Sequence, residues 1–483
     1  MNFEAVSGLE IHVQINTRTK TFCSCSTEFG AAPNTHTCPV CLGLPGALPV
    51  LNKEVVRKGV IAGLALGCRV SEFSVFARKN YFYPDLPKAY QISQYELPLS
   101  TGGGVLINTE DGQEKIIGIV RAHLEEDAGK LIHDEDPKGP SYVDFNRCGV
   151  PLLEIVTEPD IRTPEEAYLF LQAIKEIMQY AGISECNMEK GELRVDVNIS
   201  VRRVGKKEFG VKQEIKNMNS FANVKRALEY EIKRQTRLLR TGGKLTQQTR
   251  LFDPRKGITV VMRSKEEAHD YRYFPDPDLV PIVITREYIE ELRGNLPELP
   301  ANRRRRFVSR YGLKDYEAAI LCSSWKLADY FEEAARGYPG PKKIANWILG
   351  EVIRVLNERK IDVDQFPVPP AYIRELFNCI DTGIISGKMA KEVFGEMVST
   401  GKSPVQIVEE RNLKQLTDGD AIEAVIEEVI AEYRSVVSDY IGGKQKAFGF
   451  LVGQVMQKTH GKANPHLVNE MLHEKLNSIK SRG

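Results

Sequence analysis

The chain has 483 residues, 42% of them hydrophobic and 27% charged, which excludes a disordered or fibrous protein and allows about two to four domains. Lys plus Arg number 66 against 65 for Asp plus Glu, so any contact with nucleic acid must be regional. No run of about 18 apolar residues occurs and a strand pattern begins almost at once, so we expect a soluble cytoplasmic protein without a membrane partner.

The first predicted element is a strand, "GLEIHVQI" at residues 7–14. Apolar and polar residues alternate with the two-residue period of a strand: Leu9, Ile11 and Val13 against Glu10, His12 and Gln14. The polar face carries a carboxylate, an imidazole and an amide, whereas solvated strand faces usually carry Lys, Thr or Ser. This stretch alone leaves a functional site and a hydrated face as alternatives.

A group of cysteines follows this strand. Four of the nine cysteines form the pairs Cys23-x-Cys25 and Cys38-x-x-Cys41. Four soft thiolates suit tetrahedral Zn²⁺ and leave no coordination position for a substrate, so the spacing predicts a structural zinc site in an insert at 23–41. Four ordinary reduced thiols are the alternative. We expect the other five to be buried thiols: Cys68, Cys148, Cys186, Cys322 and Cys379.

Aromatic and basic residues are dense in "RKNYFYPDLPKAYQISQYE" at 78–96, and "DYRYFPDPDL" at 270–279 partly repeats the pattern. Such segments build rigid loops with aromatic faces. Arg78, Lys79 and Lys88 are cations that could bind phosphate groups there. Ordinary turn and core packing is the alternative.

Two later strands repeat the polar face of the first. They carry Arg121, His123, Glu125 and Asp127 within 119–127, and Arg194, Asp196, Asn198, Ser200 and Arg202 within 193–202. If the three strands share a sheet, four side chains on its polar face become candidate Mg²⁺ ligands: Glu10, His12, Glu125 and Asp196. A sheet with one hydrated face is the alternative, and the pattern does not decide between them.

Two helices are predicted among these strands. Thr163 can cap a helix that begins at Pro164, and Ser220 precedes a second helix near Phe221 to Arg240. Strands in hairpin order with interspersed helices predict an α+β fold on a largely antiparallel sheet.

Helical periodicity dominates after a Pro-containing segment at 296–300. We therefore predict a sheet domain at 1–295, a helical domain at 296–411 and a small helical tail domain at 412–483. Arg303 to Arg306 are expected at a solvated helix start. Basic residues of the tail could contact phosphates, although a solvated helix face is the alternative: Lys444, Lys446, Lys458 and Lys462, with His460 nearby.

Several common catalytic signatures are missing from the sequence. It has no G-x-x-x-x-G-K-[ST] phosphate loop, no convincing dinucleotide fingerprint, no G-x-S-x-G elbow and no Cys–His nucleophile signature. If the protein handles ATP, it does so outside the common nucleotide-binding folds.

Taken together, the motifs resemble the B subunits of the glutamyl/aspartyl-tRNA amidotransferases, of the bacterial type. The resemblance runs along the chain in these segments: "GLEIHVQ", "RKNYFYPDLPKAYQISQ", "HLEEDAGK", "DFNRCGVPLLEIVTEPD", "LRVDVNISVR", "EIKNMNSF", "DYRYFPDPDL" and "GFLVGQVM". It implies a cradle-shaped catalytic domain, a helical domain and a tail domain that contacts tRNA. It also implies a ligase: ATP phosphorylates the side-chain carboxylate of misacylated Glu-tRNA(Gln) or Asp-tRNA(Asn), and ammonia then displaces phosphate.

The resemblance further implies partners, cofactors and site residues. Ammonia would come from a separate amidase (glutaminase), the A subunit, and the small C subunit would support the assembly. ATP and Mg²⁺ are the implied cofactors. Glu10, His12 and Glu125 are the implied catalytic metal ligands, Glu154 and Asp196 further Mg²⁺ ligands, and Lys79 and Lys88 phosphate contacts. Two alternatives stay open: a metal-dependent phosphoesterase acting on RNA and a zinc-containing tRNA-binding adaptor.

Overall fold

The computed structural model describes residues 2–109, 111–133, 139–264, 270–413, 419–459, 463 and 465–482. The chain divides into two compact units, Met1–Arg303 and Arg304–Gly483. The first unit is built on β-sheets and the second on helices, which confirms the predicted α+β fold. The finer division at 1–295, 296–411 and 412–483 stays a prediction.

In the part of the chain that the structure describes, the first unit contains a ten-stranded sheet and three smaller ones. Its strands are β1 (Phe3–Gln14), β2 (Arg69–Val70), β3 (Phe73–Ser74), β4 (Ala77–Asn80), β5 (Tyr90–Ser93), β6 (Ser100–Thr101), β7 (Gly104–Asn108), β8 (Glu114–Glu126), β9 (Lys130–His133), β10 (Ser141–Asp144), β11 (Pro151–Thr157), β12 (Leu193–Arg203), β13 (Gln213–Met218), β14 (Gln248–Asp253), β15 (Ile258–Ser264), β16 (Phe274–Pro275) and β17 (Ile282–Val283).

The main sheet has the order β15-β14-β13-β12-β1-β11-β8-β6-β2, and β7 also pairs with β8. Its neighbouring strands are antiparallel except for β13 and β14. The three strands with polar faces therefore lie in one sheet, with β12 beside β1 and only β11 between β1 and β8.

Helices of the first unit cover the apolar side of this sheet, and the last of them packs on the first. They are α1 (Lys53–Ala65), α2 (Pro164–Tyr180), α3 (Phe221–Arg240) and α4 (Arg286–Gly294). The Thr163 hydroxyl caps α2 as predicted, and the Ser220 hydroxyl caps α3, each accepting a backbone N–H bond of 3.1 Å. Leu9, Ile11 and Val13 join the helix side chains in one hydrophobic cluster. Burying these apolar faces leaves the opposite face of the sheet for polar chemistry.

Helices form the second unit and carry two separate hydrophobic clusters, one between Phe307 and Val408 and one between Ile422 and Leu476. The helices from residue 300 onward are α5 (Pro300–Tyr311), α6 (Asp315–Leu321), α7 (Trp325–Ala335), α8 (Pro341–Trp347), α9 (Ile353–Arg359), α10 (Pro370–Asp381), α11 (Gly387–Thr400), α12 (Pro404–Glu410), α13 (Gly419–Glu432), α14 (Arg434–Ile441), α15 (Lys446–Lys458) and α16 (Pro465–Arg482). A π-helical segment, Ile348–Val352, joins α8 to α9, and a short 3-10 turn spans Val363–Gln365.

The arginines at the start of α5 are not all solvated. Arg303 is only 8% exposed. Arg306 forms two hydrogen bonds with the carboxylate of Glu332, at 2.5 and 2.9 Å. The expectation of a solvated helix start is wrong for Arg303, which the amphipathic helix turns inward, whereas Arg306 is partly exposed. No helix among the described residues has both the length and the apolar character that crossing a membrane requires.

A buried carboxylate, Glu231, connects α3 to the edge of the main sheet. Its side chain is inaccessible and accepts hydrogen bonds from Arg234, Gln235 and Thr259, with Arg250 Nε 3.1 Å away. Burial alone would raise the pKa of Glu231, but these bonds and the Arg234 charge hold it below its usual range. Ionised Glu231 therefore stabilises the folded protein fully above the ordinary carboxyl pKa of about 4.3. This stabilisation is lost as the pH falls through the lower pKa that Glu231 has in the folded protein.

Replacing this carboxylate tests its role in stability. We expect Glu231→Ala to lower the free energy of unfolding by about 3–5 kcal/mol, because the buried Arg250 loses its counter-charge. Denaturant unfolding followed by circular dichroism measures the change. The control is Glu229→Ala on the same helix, which is partly exposed and should change stability by about 0.5 kcal/mol or less. Equal stability of the two variants would contradict the assignment.

Candidate active site

The register of three adjacent strands sets the geometry of the polar face. His12 of β1 lies opposite Glu154 of β11, and Glu154 lies opposite His123 of β8. Residues directly opposite each other in antiparallel strands project from the same face of the sheet. Glu125 lies two residues beyond His123 and so projects from this face as well. The sheet thus brings two imidazoles and two carboxylates together from three strands.

The side chains approach closely enough to act as one group. His12 Nε2 lies 3.3 Å from Glu125 Oε1 and 3.6 Å from Glu154 Oε2. His123 Nε2 lies 3.4 Å from Glu154 Oε2. Glu125 is 2% exposed and accepts a 3.2 Å hydrogen bond from the Ser93 hydroxyl. His12, Glu125 and Glu154 each offer a ligand atom within 4.8 Å of the others, and we call these three residues the carboxylate–imidazole group.

The charges in this group favour a cation at its centre. Burial alone would lower the pKa of His12, but hydrogen bonds and charges from Glu125 and Glu154 raise it to about 10. Burial would raise the pKa of Glu154, yet its bonds to His12 and His123 hold the pKa well below its usual range. These carboxylates therefore stabilise positive charge beside them, and a metal ion bound there would displace the proton of His12. Carboxylate oxygens are what Mg²⁺ prefers, and the deprotonated imidazole nitrogen would add a third ligand atom.

Glu10 and Asp196 lie on the same face but outside this group. They are opposite each other in the β1–β12 register. Glu10 Oε1 accepts a 2.8 Å hydrogen bond from Asn198, and Asp196 is paired with the ammonium of Lys216. The structure therefore does not bring these two carboxylates to the carboxylate–imidazole group, although both lie on the same polar face of the sheet.

The sequence patterns predicted no role for two residues of the site, His123 and Ser93. Periodicity places His123 on the polar face, but it indicates no ligand or positioning role for this residue. Ser93 lies in β5, and nothing in its local sequence marks it. Its contact with Glu125 depends on packing between segments 32 residues apart, which periodicity does not reveal.

The predicted phosphate-binding cations occupy three different environments. Arg78 is held by two carboxylates, Asp276 at 2.9 Å and Asp278 at 2.7 Å, which join the two aromatic segments. The ammonium of Lys79 lies 5.0 Å from the centre of the Tyr271 ring. Lys88 is 8% exposed and forms an ion pair with buried Glu126.

The four cysteine thiols predicted to bind zinc come together. Their Sγ atoms all lie within 4.8 Å of one another, and Cys38 Sγ is 3.8 Å from Cys41 Sγ. Zn–S bonds of about 2.3 Å in a tetrahedron separate sulfurs by about 3.8 Å, so the donor set fits zinc. A hydrogen bond from Cys23 and the nearby ammonium of Lys20 lower the pKa of Cys41. The other five cysteines are buried, as predicted.

The basic residues of the tail are partly engaged by acidic neighbours. Lys458 pairs with Glu428 at 2.5 Å and with Glu432 at 2.7 Å. Lys444 pairs with Asp439 at 2.9 Å. The predicted contributions of Lys462 and His460 lie outside the described residues.

Cation binding by the carboxylate–imidazole group can be measured directly. We expect Glu125→Gln to weaken Mn²⁺ binding about tenfold or more, because an anionic oxygen ligand becomes a neutral amide. Electron paramagnetic resonance of free Mn²⁺ gives the affinity. Glu158→Gln, an exposed carboxylate just after β11, is the matched control and should bind Mn²⁺ normally. Equal Mn²⁺ affinity of the two variants would contradict this site.

Comparison with known proteins gives two family matches. Residues 5–290 match the family described as the GatB/GatE catalytic domain, and residues 329–476 match the family described as the GatB domain. The carboxylate–imidazole group and the four cysteines both lie within the first match.

Curated relatives resemble the chain over nearly its whole length. A protein of Carboxydothermus hydrogenoformans is 57% identical over 476 residues, covering 98% of this chain and 99% of the relative. One of Thermoanaerobacter pseudethanolicus is 57% identical, with coverage of 99% and 100%. One of Moorella thermoacetica is 55% identical over 477 residues, again with coverage of 99% and 100%. All three are named as B subunits of the aspartyl/glutamyl-tRNA(Asn/Gln) amidotransferase, and the chain belongs to this family.

Proposed function

We propose that this chain is the component that amidates misacylated Glu-tRNA(Gln), Asp-tRNA(Asn) or both, with ATP as the activating substrate. The observation that carries the proposal is 57% identity, over essentially the whole chain, to proteins named as amidotransferase B subunits. The family assignment implies ATP use, a tRNA substrate and further subunits. It does not favour an RNA phosphoesterase or a zinc-containing adaptor.

The reaction has two steps at the side-chain carboxyl of the attached amino acid. A free carboxylate is a poor electrophile, so one of its oxygens first attacks the γ-phosphorus of ATP and ADP leaves. Ammonia then attacks the activated acyl carbon, phosphate departs, and the nitrogen loses a proton to give the amide. The first step brings two anions together and the second releases anionic phosphate, so positive charge must be supplied at the site.

The carboxylate–imidazole group is the proposed place for that charge. His12, Glu125 and Glu154 would hold Mg²⁺, which would screen the charges of the carboxylate and the phosphates. Their mutual distances and the buried position of Glu125 support this assignment. Glu10 and Asp196 belong to the same proposed site as flanking carboxylates that can bind ligand water around the cation.

Two lysines are the proposed phosphate contacts. Lys79 is the better supported of the two phosphate contacts. Among the described residues no ion pair engages its ammonium, and this ammonium lies over the ring of Tyr271. A phosphate at Lys88 would have to compete with the ion pair that Lys88 makes with Glu126.

The proposed partners are those that the family resemblance implies. Ammonia would come from the amidase (glutaminase) A subunit, with the small C subunit supporting the assembly, which is consistent with the lack of a glutaminase nucleophile signature in this sequence. The tail domain at 412–483 is the proposed contact with the body of tRNA, where exposed lysines would meet phosphates.

The cysteine group is the proposed structural zinc site. Four sulfurs within 4.8 Å of one another would fill the coordination sphere and fix the insert that follows β1. Because no position is left for water or substrate, the ion would take no part in the chemistry.

The amidation proposal is tested by reconstitution with the amidase and small subunits, Glu-tRNA(Gln), glutamine, ATP and Mg²⁺. We expect Gln-tRNA to form, and Glu125→Ala to lower its rate about 100-fold or more because a charge-stabilising ligand is lost. Glutaminase activity should largely survive, since it resides in another polypeptide.

Glu158→Ala serves as the control and should support amidation at the unsubstituted rate. No ATP-dependent amide formation by the unsubstituted assembly would contradict the function. Unchanged amidation by Glu125→Ala would contradict the cation assignment alone. Hydrolysis of RNA without ATP would favour the phosphoesterase alternative.

The zinc proposal is tested by elemental analysis of the purified chain. We expect about one zinc per chain, and a large loss of zinc in Cys41→Ser, because a hydroxyl is a poor replacement for a thiolate ligand. The buried Cys68→Ala variant should retain the metal. Zinc absent from the unsubstituted protein, or retained in full by Cys41→Ser, would contradict the site.

A further inference from the structure

Lys20 is a lysine with no solvent-accessible surface. It lies three residues before the first of the four cysteines, and its backbone N–H donates to the carbonyl of Cys25 at 3.0 Å. The next residue, Thr21, donates its N–H to the carbonyl of Gly149 at 2.9 Å. Backbone hydrogen bonds on both sides thus fix this segment, so the long side chain is directed into the protein.

The ammonium of Lys20 has one acceptor for each of its three N–H bonds. It donates to the carbonyl of His36 at 2.7 Å and to the carbonyl of Phe145 at 3.4 Å. The third acceptor is Cys41 Sγ at 3.6 Å, a hydrogen-bond distance for sulfur. The ammonium therefore contacts the cysteine insert at two points and the chain near residue 145 at one.

The charge of this ammonium needs an anion. A buried ionised group costs several kcal/mol unless it is paired, and two neutral carbonyls satisfy hydrogen bonds without cancelling charge. Of its three acceptors, the one that can carry a negative charge is the sulfur of Cys41. Conversely, four thiolates around Zn²⁺ leave a formal charge of about −2 in a partly buried place, so the ammonium and the thiolates compensate each other.

We propose that Lys20 is the outer-shell cation of the four-cysteine site, where its N–H donor and positive charge stabilise the zinc-bound thiolates. The proposal rests on the structural zinc site proposed above. It assigns to Lys20 a positioning role: the ammonium lowers the cost of the thiolate charge and joins the metal-bound insert to the Phe145 carbonyl.

The experiment is a zinc competition titration on the full chain, with a chromophoric chelator and Zn²⁺ as the only added ligand. We expect Lys20→Met, which keeps the length of the side chain, to raise the zinc dissociation constant about 10- to 100-fold, the usual effect of losing an outer-shell partner. In the Co²⁺-substituted protein, the sulfur-to-metal charge-transfer band should shift, because the Cys41 thiolate loses its donor.

Lys58→Met is the matched control. The Lys58 ammonium also donates to two backbone carbonyls, those of Asn16 and Gly182, but it has no hydrogen bond to a sulfur among the described residues. We expect this variant to bind zinc as the unsubstituted protein does. Lys20→Gln separates charge from hydrogen bonding, since its amide still donates but is neutral, and it should also bind zinc more weakly. If Lys20→Met does not fold, Lys20→Gln decides the question.

The possible failures are distinct. If the unsubstituted chain binds zinc and both Lys20 variants bind it equally tightly, the role of Lys20 is contradicted while the zinc site stands. If Lys20→Gln binds zinc normally and only Lys20→Met is weakened, the charge is not required and the proposal fails. If the unsubstituted chain binds no zinc, the zinc proposal itself is wrong.

Discussion

A shift of one residue in the pairing of β1 with β11 would turn His12 into the hydrophobic core and bring Ile11 to the polar face. The antiparallel register is therefore the constraint on which the candidate active site depends. It is fixed by the apolar residues of the opposite face, which α2 and α3 cover, because any slip would expose them. The same packing that stabilises the sheet thus positions the ionisable groups.

Keeping carboxylates in this position costs stability. Glu125 and Glu126 are both 2% exposed, adjacent in sequence and on opposite faces of β8. Lys88 compensates Glu126, whereas Glu125 is contacted by the Ser93 hydroxyl and the His12 imidazole. Among the described residues, buried Glu125 and Glu154 have no ion pair with lysine or arginine and lie where the proposed chemistry needs a cation, whereas buried Glu231 is paired with Arg234 and Arg250. Burial alone does not distinguish these three carboxylates, but the charge of the partner does.

The sequence predicted much of this architecture because strand periodicity, helix caps and cysteine spacing are local signals. It identified β1, β8 and β12 by alternation, α2 by its capping residue, α3 by the residues that flank it, and the cysteine group by spacing. The proposed ligand role of Glu154 came only through family resemblance, because β11 is buried on both faces and shows no alternation. The order of the strands could not be predicted either, because the position of β11 between β1 and β8 depends on contacts between residues that are distant in sequence. For the same reason the contacts of Ser93, Lys20 and Lys88 could not be predicted.

The central claim is that a divalent cation binds where His12, Glu125 and Glu154 converge. Anomalous diffraction from crystals grown with Mn²⁺ tests it most directly, because the ion is located without reference to activity. We expect a peak about 2.0–2.3 Å from a carboxylate oxygen of Glu125 and of Glu154 and from His12 Nε2. A peak centred instead between Glu10 and Asp196, or no peak on this face of the sheet, would contradict it.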